Sequence, residues 1–547
     1  MKDSRKERDR RDACGSVTGI PELLSLICKY ADSRSKADLA QTCRYLLEPV
    51  LDELWALQIA DTAILGVLPP DSIVTMEDED DVTLEFMRYT PSDKEWDRIY
   101  YYTKRVRVLN VELNQRNGCP PQFALSDNFL RQWMKYTRKR GIGLALYPNA
   151  TDVYWTVEGP QSLQRDQMIW LPPGITCLTL DLKSLNKHSA LTLANALNPL
   201  ARRKLASLRK LWIQQLMIRP MEMSALEPLM RSCPALNDVG FLNTTPDCVR
   251  QLATFPNVRH LNIGNVALYG SRMNVRNRDD LPDHSRLDEG ILSFWRQLCS
   301  SLPLETLRVR YRPHALLPAD VLVPFFQIFG QSLNPALITS LRLIALSART
   351  RSPAILSHAE IDHELTRDHI APLMALRNLR ELEISPRGWV NVDDADVLAF
   401  AQAWPHLEEL RFSGRLSRTY PPHAENEIPI RTTMAALYAL ATHCPRLRVL
   451  ELSFDASTVP PSPITTPVVQ HALRELFLGG TEWQDSQRLA EFLLSVFPQL
   501  REVDSHASHW MEMREGVIDI FSRPGPAQQR LRELRELVSP GPAAPIS

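Results

Sequence analysis

From about residue 100 onward the chain alternates between two hydrophobic textures. Short stretches repeat apolar residues at period two, and between them longer stretches repeat them every three to four positions. The first pattern is that of a half-buried strand and the second that of an amphipathic helix. The clearest copy of the joined unit is CPRLRVLELSF at 444–454. There Leu447, Leu450 and Leu452 can share one interior, the last two by strand alternation. One copy would mean little, because three leucines in six residues occur in any core. Recurrence carries the reading.

Aligned on the central apolar position of the strand pattern, the chain gives Leu109, Val153, Leu178, Leu211, Val239, Leu261, Leu307, Leu341, Leu382, Leu410, Leu450, Leu476 and Val503. The spacing runs from 22 residues (Val239 to Leu261) to 46 (Leu261 to Leu307). Helical patterns sit between these strands at Met223–Cys233, Ile291–Leu302, Val397–Trp404, Met434–Cys444 and Leu489–Phe497. Pro234, Pro256, Pro405, Pro445 and Pro498 each stand two residues before the next Leu or Val. Proline cannot continue a helix ladder and turns its predecessor toward extended geometry, so each marks a helix stop. Cys233, Phe255, Trp404, Cys444 and Phe497, just before those prolines, are expected to plug the seam between helices and sheet.

The shorter spacings fit a leucine-rich repeat of one strand and one helix, and the longer ones need an insertion. The expected fold class is therefore α/β: a leucine-rich-repeat solenoid over 99–510, with a parallel sheet on the concave side and helices on the convex side. Polar or Pro-rich insertions at 270–289, 347–368, 414–430 and 455–469 all follow a strand and precede its helix, which gathers them on one rim.

The remaining segments read differently. Residues 1–14 alternate opposite charges and are expected to be a disordered leader. Residues 15–60 read as three helices: Pro21 suits a first turn, with Leu23, Leu24, Ile27 and Tyr30 following at helical spacing, then Leu39, Leu46 and Leu47. Pro49 is expected to break the pattern or start a new first turn, after which Leu51, Leu54, Trp55 and Leu57 continue an apolar face. Residues 61–98 read as a linker and N-terminal cap with an acidic loop at Glu77–Asp81, and 511–547 as a C-terminal cap and disordered tail.

In the three-helix segment, Ile20–Pro21, the ELL of 22–24, Ile27, Tyr30, Leu39 and Cys43–Arg44 resemble the F-box. With 51–70, the acidic loop and 95–112, the chain resembles the F-box-like proteins with degenerate leucine-rich repeats expanded in mushroom-forming (basidiomycete) fungi. Ile20 stands where the family pattern opens with Leu. The resemblance implies docking on a Skp-type adaptor and thereby on a cullin-type SCF E3 ubiquitin ligase, with apolar contacts from Pro21, Leu24, Ile27, Leu39 and Leu46. It also implies that the repeats hold an unknown protein target and that catalysis belongs to other subunits. The alternative is a scaffold in which the helices only cap the solenoid.

Composition narrows the other options. With 63 basic and 64 acidic residues the net charge is −1, which argues against a nucleic-acid-binding protein. The start is charged rather than apolar and no run of about 18 apolar residues offers a membrane span, so a cytoplasmic or nuclear location is expected. Nine scattered cysteines with no CxxC pair are expected to be reduced and buried. No nucleotide, zincin or hydrolase motif occurs, and His358, His363, Glu364, Asp368 and His369 match no metal spacing. No catalytic residue, metal or cofactor is therefore expected.

The concave face can be read from the residues flanking each central position. They run from Lys210, Trp212, His260, Asn262, Arg308 and Arg342 to Glu381, Glu383, Glu409, Arg411, Glu451, Glu475, Glu502 and Asp504. Trp212, His260, Arg308, Glu381, Glu409, Glu451 and Glu475 are the candidate target-binding residues. The acidic C-terminal half is expected to recruit a basic segment.

Overall fold

The computed structural model describes residues 21–42, 44–59, 67, 73–77, 83–87, 91–111, 127–156, 171–182, 197–198, 200–202, 205–218, 220–244, 252–266, 289–311, 322–345, 364–386, 389–412, 430–457, 468–478 and 485–505. The leader, Cys43, the acidic loop after Glu77, the C-terminal cap and tail, and most of the four insertions lie outside these residues. The chain forms two compact units, Met1–Val239 and Gly240–Ser547.

The first unit opens with helices α1 (Pro21–Tyr30), α2 (Ser33–Thr42) and α3 (Arg44–Trp55). Strand β1 (Leu57–Ile59) follows, then an antiparallel pair β2 (Ile73–Glu77) and β3 (Thr83–Met87). Helix α4 (Asp93–Thr103) leads to β4 (Val108–Val111), and α5 (Asp127–Arg140) to β5 (Asp152–Thr156), β6 (Cys177–Asp181) and β7 (Lys210–Ile218). Helix α6 (Pro220–Arg231) precedes β8 (Asp238–Thr244), which falls on the limit between the units.

The second unit continues the alternation. It runs β9 (His260–Val266), α7 (Glu289–Ser301), β10 (Thr306–Tyr311), α8 (Val323–Ser332) and β11 (Ser340–Ala345). Then come β12 (Glu364–Leu365), α9 (Arg367–Ile370), a 3₁₀ turn (Ala371–Ala375), β13 (Glu381–Ser385), β14 (Trp389–Val390) and α10 (Asp394–Ala403). It closes with β15 (Glu409–Phe412), α11 (Met434–His443), β16 (Val449–Leu452), β17 (Glu475–Leu478), α12 (Ser486–Val496) and β18 (Glu502–Ser505).

All thirteen central residues read from the sequence lie in strands, and none is more than 2% exposed. Their register is the expected one. Leu109, Val153, Leu178 and Leu211 pair in turn within the first unit. In the second, Leu261, Leu307, Leu341, Leu382, Leu410, Leu450, Leu476 and Val503 do the same. Every one of these pairings is parallel, and the alternating burial of β5, β10, β13 and β15 turns one sheet face to the helices and the other to solvent. This is the α/β leucine-rich-repeat solenoid.

The seam residues behave alike for a local reason. Trp404, Cys444 and Phe497 end their helices at φ −121°, −116° and −125° with ψ 65°, 70° and 72°, outside the helical well that a following proline disfavours. Each carbonyl then accepts from the N–H three residues on: Leu407 at 3.2 Å, Leu447 at 3.1 Å and Leu500 at 3.0 Å. The proline thus occupies the second position of a turn, which suits its fixed φ. All three side chains are fully buried, whereas Phe255 is only half-buried.

Two readings need correction. Pro49 lies inside α3, whose helix continues to Trp55 because burial of Leu46, Val50 and Leu51 outweighs the hydrogen bond lost at the proline. Leu57 belongs to no helix: β1 pairs with β4, Gln58 opposite Leu109, and forms the edge of the first unit's sheet. Between β16 and β17, among the described residues, buried Gln470 organises the backbone. Its amide donates to the carbonyls of Cys444 (3.3 Å) and Leu447 (2.9 Å), and its oxygen accepts from the N–H groups of Ala472 (3.1 Å) and Leu473 (2.8 Å).

Candidate functional site

Two surfaces have the side chains to bind a partner. The first is α1. Its inward face supplies Leu24 and Cys28 to a small core with Ala40, Leu46 and Val50, against which Leu39 and Leu47 pack partly buried. A second apolar stripe faces outward: Leu23 is 39% exposed, Leu26 51%, Ile27 49% and Tyr30 82%. These four stand at i, i+3, i+4 and i+7, so they form one continuous ridge on the helix. Ser25, between the faces, donates to Glu53 Oε1 at 2.7 Å and fixes α1 against α3.

Among the residues read as adaptor contacts, the structure therefore separates inside from outside. Leu24 and Leu46 are core, Leu39 is partly covered, and Ile27 stands in solvent. Pro21 begins α1, and its side chain lies outside the described set. Leu23, Leu26 and Tyr30 complete the outward stripe; the i+3/i+4 spacing was their signal in the sequence.

The helices are tied to the rest of the first unit through Arg105. This side chain is buried and pairs with both Glu48 and Asp52 of α3, lies 4.5 Å from the Tyr101 ring, and leaves its Nε buried without a hydrogen-bond partner. Tyr101 also donates to Glu48, and that bond with Arg105 holds the Glu48 carboxyl below its ordinary pKa.

The second surface is the solvent face of the second unit's sheet. In-register parallel pairing places like positions of neighbouring strands side by side, about 4.8 Å apart. One row reads Asn262, Arg308, Arg342, Glu383, Arg411, Glu451 and Phe477, and the row two residues earlier includes His260, Thr306, Ser340, Glu381, Glu409 and Glu475. Arg342 sits 3.0 Å from Glu381, 3.4 Å from Glu383 and 3.5 Å from Glu409. Arg411 is 2.6 Å from Glu409 and 3.8 Å from Glu451, and 5.0 Å from the Phe477 ring. Ser340 donates to Glu381 at 2.8 Å.

The electrostatics follow from this ladder. Burial opposes ionisation of Glu381, but the hydrogen bonds from Arg342 and Ser340 overcome it and hold its pKa below the usual range. Glu383 goes the other way: burial raises it, and Arg342, Arg308 and Arg411 only partly offset that. Burial also works against the Arg342 charge, yet Glu381, Glu409 and Glu383 keep its pKa above the ordinary value.

The acidic half is thus largely neutralised from within. Glu381 and Glu409 are held by arginines, and Glu451 is only 2% exposed beside Arg411, so it is not itself open to a partner. Glu475 is half-buried and forms no ion pair among the described residues. His260 Nδ1 lies 3.1 Å from Thr306 Oγ1. In the first unit Trp212 donates to Asp238 at 3.2 Å, with the Lys210 ammonium 4.2 Å from its ring.

Cys28, Cys177, Cys233, Cys299 and Cys444 are free thiols, and burial pushes Cys444 up to about 12. Thr366 N–H donates to His369 Nδ1 at 3.0 Å, which gives that imidazole a capping task on α9; His358 and His363 lie outside the described residues. Among the described residues no group of three or more His, Cys, Asp or Glu is arranged to hold a metal, and no helix is long and apolar enough to cross a membrane.

No protein-family model and no curated protein matches the chain. Solved structures are similar at low identity. The yeast Rad7 and Elc1 complex provides one at 13% identity and a TM-score of 0.32, covering 69% of this chain and 82% of that one. The leucine-rich repeat-containing protein LegL7 from Legionella pneumophila gives 12% and 0.31, covering 70% and 98%. A protein from Bacteroides fragilis gives 11% and 0.26, covering 67% and 71%.

Proposed function

We propose that the chain is a non-catalytic interaction protein: the substrate-recognition subunit of a cullin-type SCF E3 ubiquitin ligase, acting in the cytoplasm or nucleus. The N-terminal helices dock on a Skp-type adaptor, and the solvent face of the sheet holds a protein target. The observation that carries this reading is the outward stripe Leu23, Leu26, Ile27 and Tyr30. A helix that served only to cap its neighbours would gain nothing from a second apolar face, whereas burial against a partner would contribute about 1.5–3 kcal/mol for each large apolar side chain. Leu24, Leu39 and Leu46 act through position, holding α1 so that the stripe points away from the module core. Size-exclusion chromatography of the full chain with a purified Skp-type adaptor tests the reading. Co-elution supports it, and separate elution with both proteins at tens of micromolar sinks it.

A specific observation favours the scaffold alternative. Strand β1 extends the sheet from the end of α3, and Arg105 pairs with Glu48 and Asp52 of the same helix, so the three helices also serve as an end cap. If that were their whole role, polar substitution along the outward stripe would leave every interaction of the chain intact.

A further inference from the structure

The charged ladder is not uniformly satisfied. Arg342 and Arg411 are each engaged by carboxylates, but among the described residues Arg308 and Arg310, both on β10, form no ion pair. Arg308 is half-buried, its Nε is buried without a hydrogen-bond partner, and its nearest row neighbours are Asn262 on β9 and Arg342 on β11. Arg310 projects from the same face two residues on, as the alternating burial of β10 requires. Burial and the like charge of Arg310 lower the pKa of Arg308, with Arg342 adding to the effect; Glu383 and Glu409 compensate only in part. Among the described residues of these rows, the carboxylates Glu381, Glu383 and Glu409 lie two or more strands from β10 and are already held by Arg342 and Arg411.

We propose that Arg308 and Arg310, with the Asn262 carboxamide beside them, form a docking site for an anionic group, a carboxylate or phosphate, on an extended segment of a partner protein. The chemistry is that of paired guanidinium donors, which bind planar or tetrahedral oxyanions by charge-assisted hydrogen bonds. A partner anion would complete the alternation of charge along the row and satisfy the excess positive charge at its β9–β10 end. The inference rests on the target-binding half of the proposed function and replaces a basic ligand with an acidic one.

Fluorescence anisotropy on the full chain tests it with three labelled probes: a hexaglutamate peptide, an otherwise uncharged hexapeptide carrying one phosphoserine, and hexalysine. At least one anionic probe should bind, more weakly as salt is raised, and R308Q/R310Q should weaken it by about tenfold or more. R308K/R310K, which keeps the charge but not the guanidinium fork, should weaken binding less than R308Q/R310Q, and unchanged thermal midpoints in both variants serve as the folding control. Competition by inorganic phosphate at equal concentration would overturn the proposal, because the site would then take a free anion rather than a partner segment. The proposal is overturned if neither anionic probe binds, if R308Q/R310Q binds as well as the parent, or if hexalysine alone binds. Adaptor affinity measured on the same preparations separates the two readings: it should be unchanged in R308Q/R310Q, and its absence with anion binding intact would remove the ligase assignment alone.

Discussion

The outward stripe of α1 and the charged face of β10–β16 meet solvent in opposite ways. The α1 stripe is four large side chains, each at least 39% exposed, on a helix whose other side already fills the module core. On the charged face, Arg342 and Arg411 hold Glu381, Glu383 and Glu409 in ion pairs. Apolar surface facing water can only gain from a partner, whereas a paired carboxylate must give up one arginine to engage another group. The number of charged side chains on a face is therefore a poor guide to its binding strength. What remains unmet, on α1 and at Arg308 and Arg310, is a better one.

The sharpest way to break the comparison is to exchange the two sides of α1. Leu24→Ala should destabilise the N-terminal module by about 2–4 kcal/mol through lost burial and a residual cavity. Ile27→Ala, one turn further along on the open side, should change stability by less than about 0.5 kcal/mol. Chemical denaturation followed by tryptophan fluorescence, with hydrogen exchange on α1–α3, reads both. Equal effects would mean that the two faces are not distinct.

On the charged face, Arg342→Ala removes a guanidinium shared by Glu381, Glu383 and Glu409, of which only Glu409 keeps a second arginine, Arg411. With every partner at least partly solvated, a loss of about 1–3 kcal/mol is expected, and Glu383→Gln introduced with it should restore part of that. A double-mutant cycle in urea measures the coupling. Strict additivity would show that the ladder is a crowd of independent surface charges.

The smallest effects concern pH and have opposite signs. The pKa of Glu381 is lowered in the folded state, so its contribution is present above the unfolded carboxylate range and is lost as pH falls through the folded value. The pKa of Glu383 is raised, so its contribution is largest at low pH and is lost as pH rises through the folded value. At pH 7 Glu381→Gln should therefore destabilise and Glu383→Gln should be neutral or mildly stabilising, each by about 1 kcal/mol or less. Thermal unfolding midpoints between pH 4 and 8 would show it, and matching shifts for the two variants would contradict the ladder's electrostatics.

Most of the strand register could be read from the sequence because one buried leucine per repeat fixes it: a slip of a single residue would turn Leu410 or Leu450 to solvent. The prolines located the helix ends for the same local reason. Other features were not legible. In PELLSLICKY apolar residues lie on more than one side of the helix, so spacing alone could not assign Leu24 inward and Ile27 outward; that took the positions of Ala40, Leu46 and Val50. The pairing of Arg342 with Glu381 and Glu409 joins residues 39 and 67 apart, set by strands that only the fold makes adjacent. Three residues of β1 and a lone buried Gln470 are too short a signal for any periodicity to reveal.

The most direct test of the central claim is the affinity of the full chain for a Skp-type adaptor, by isothermal titration calorimetry, in the parent and in L26D/I27D. The expected result is binding by the parent and a loss of about a hundredfold or more in the variant, with an unchanged thermal midpoint. Equal adaptor affinity in the two proteins, or no binding by the folded parent, would contradict it.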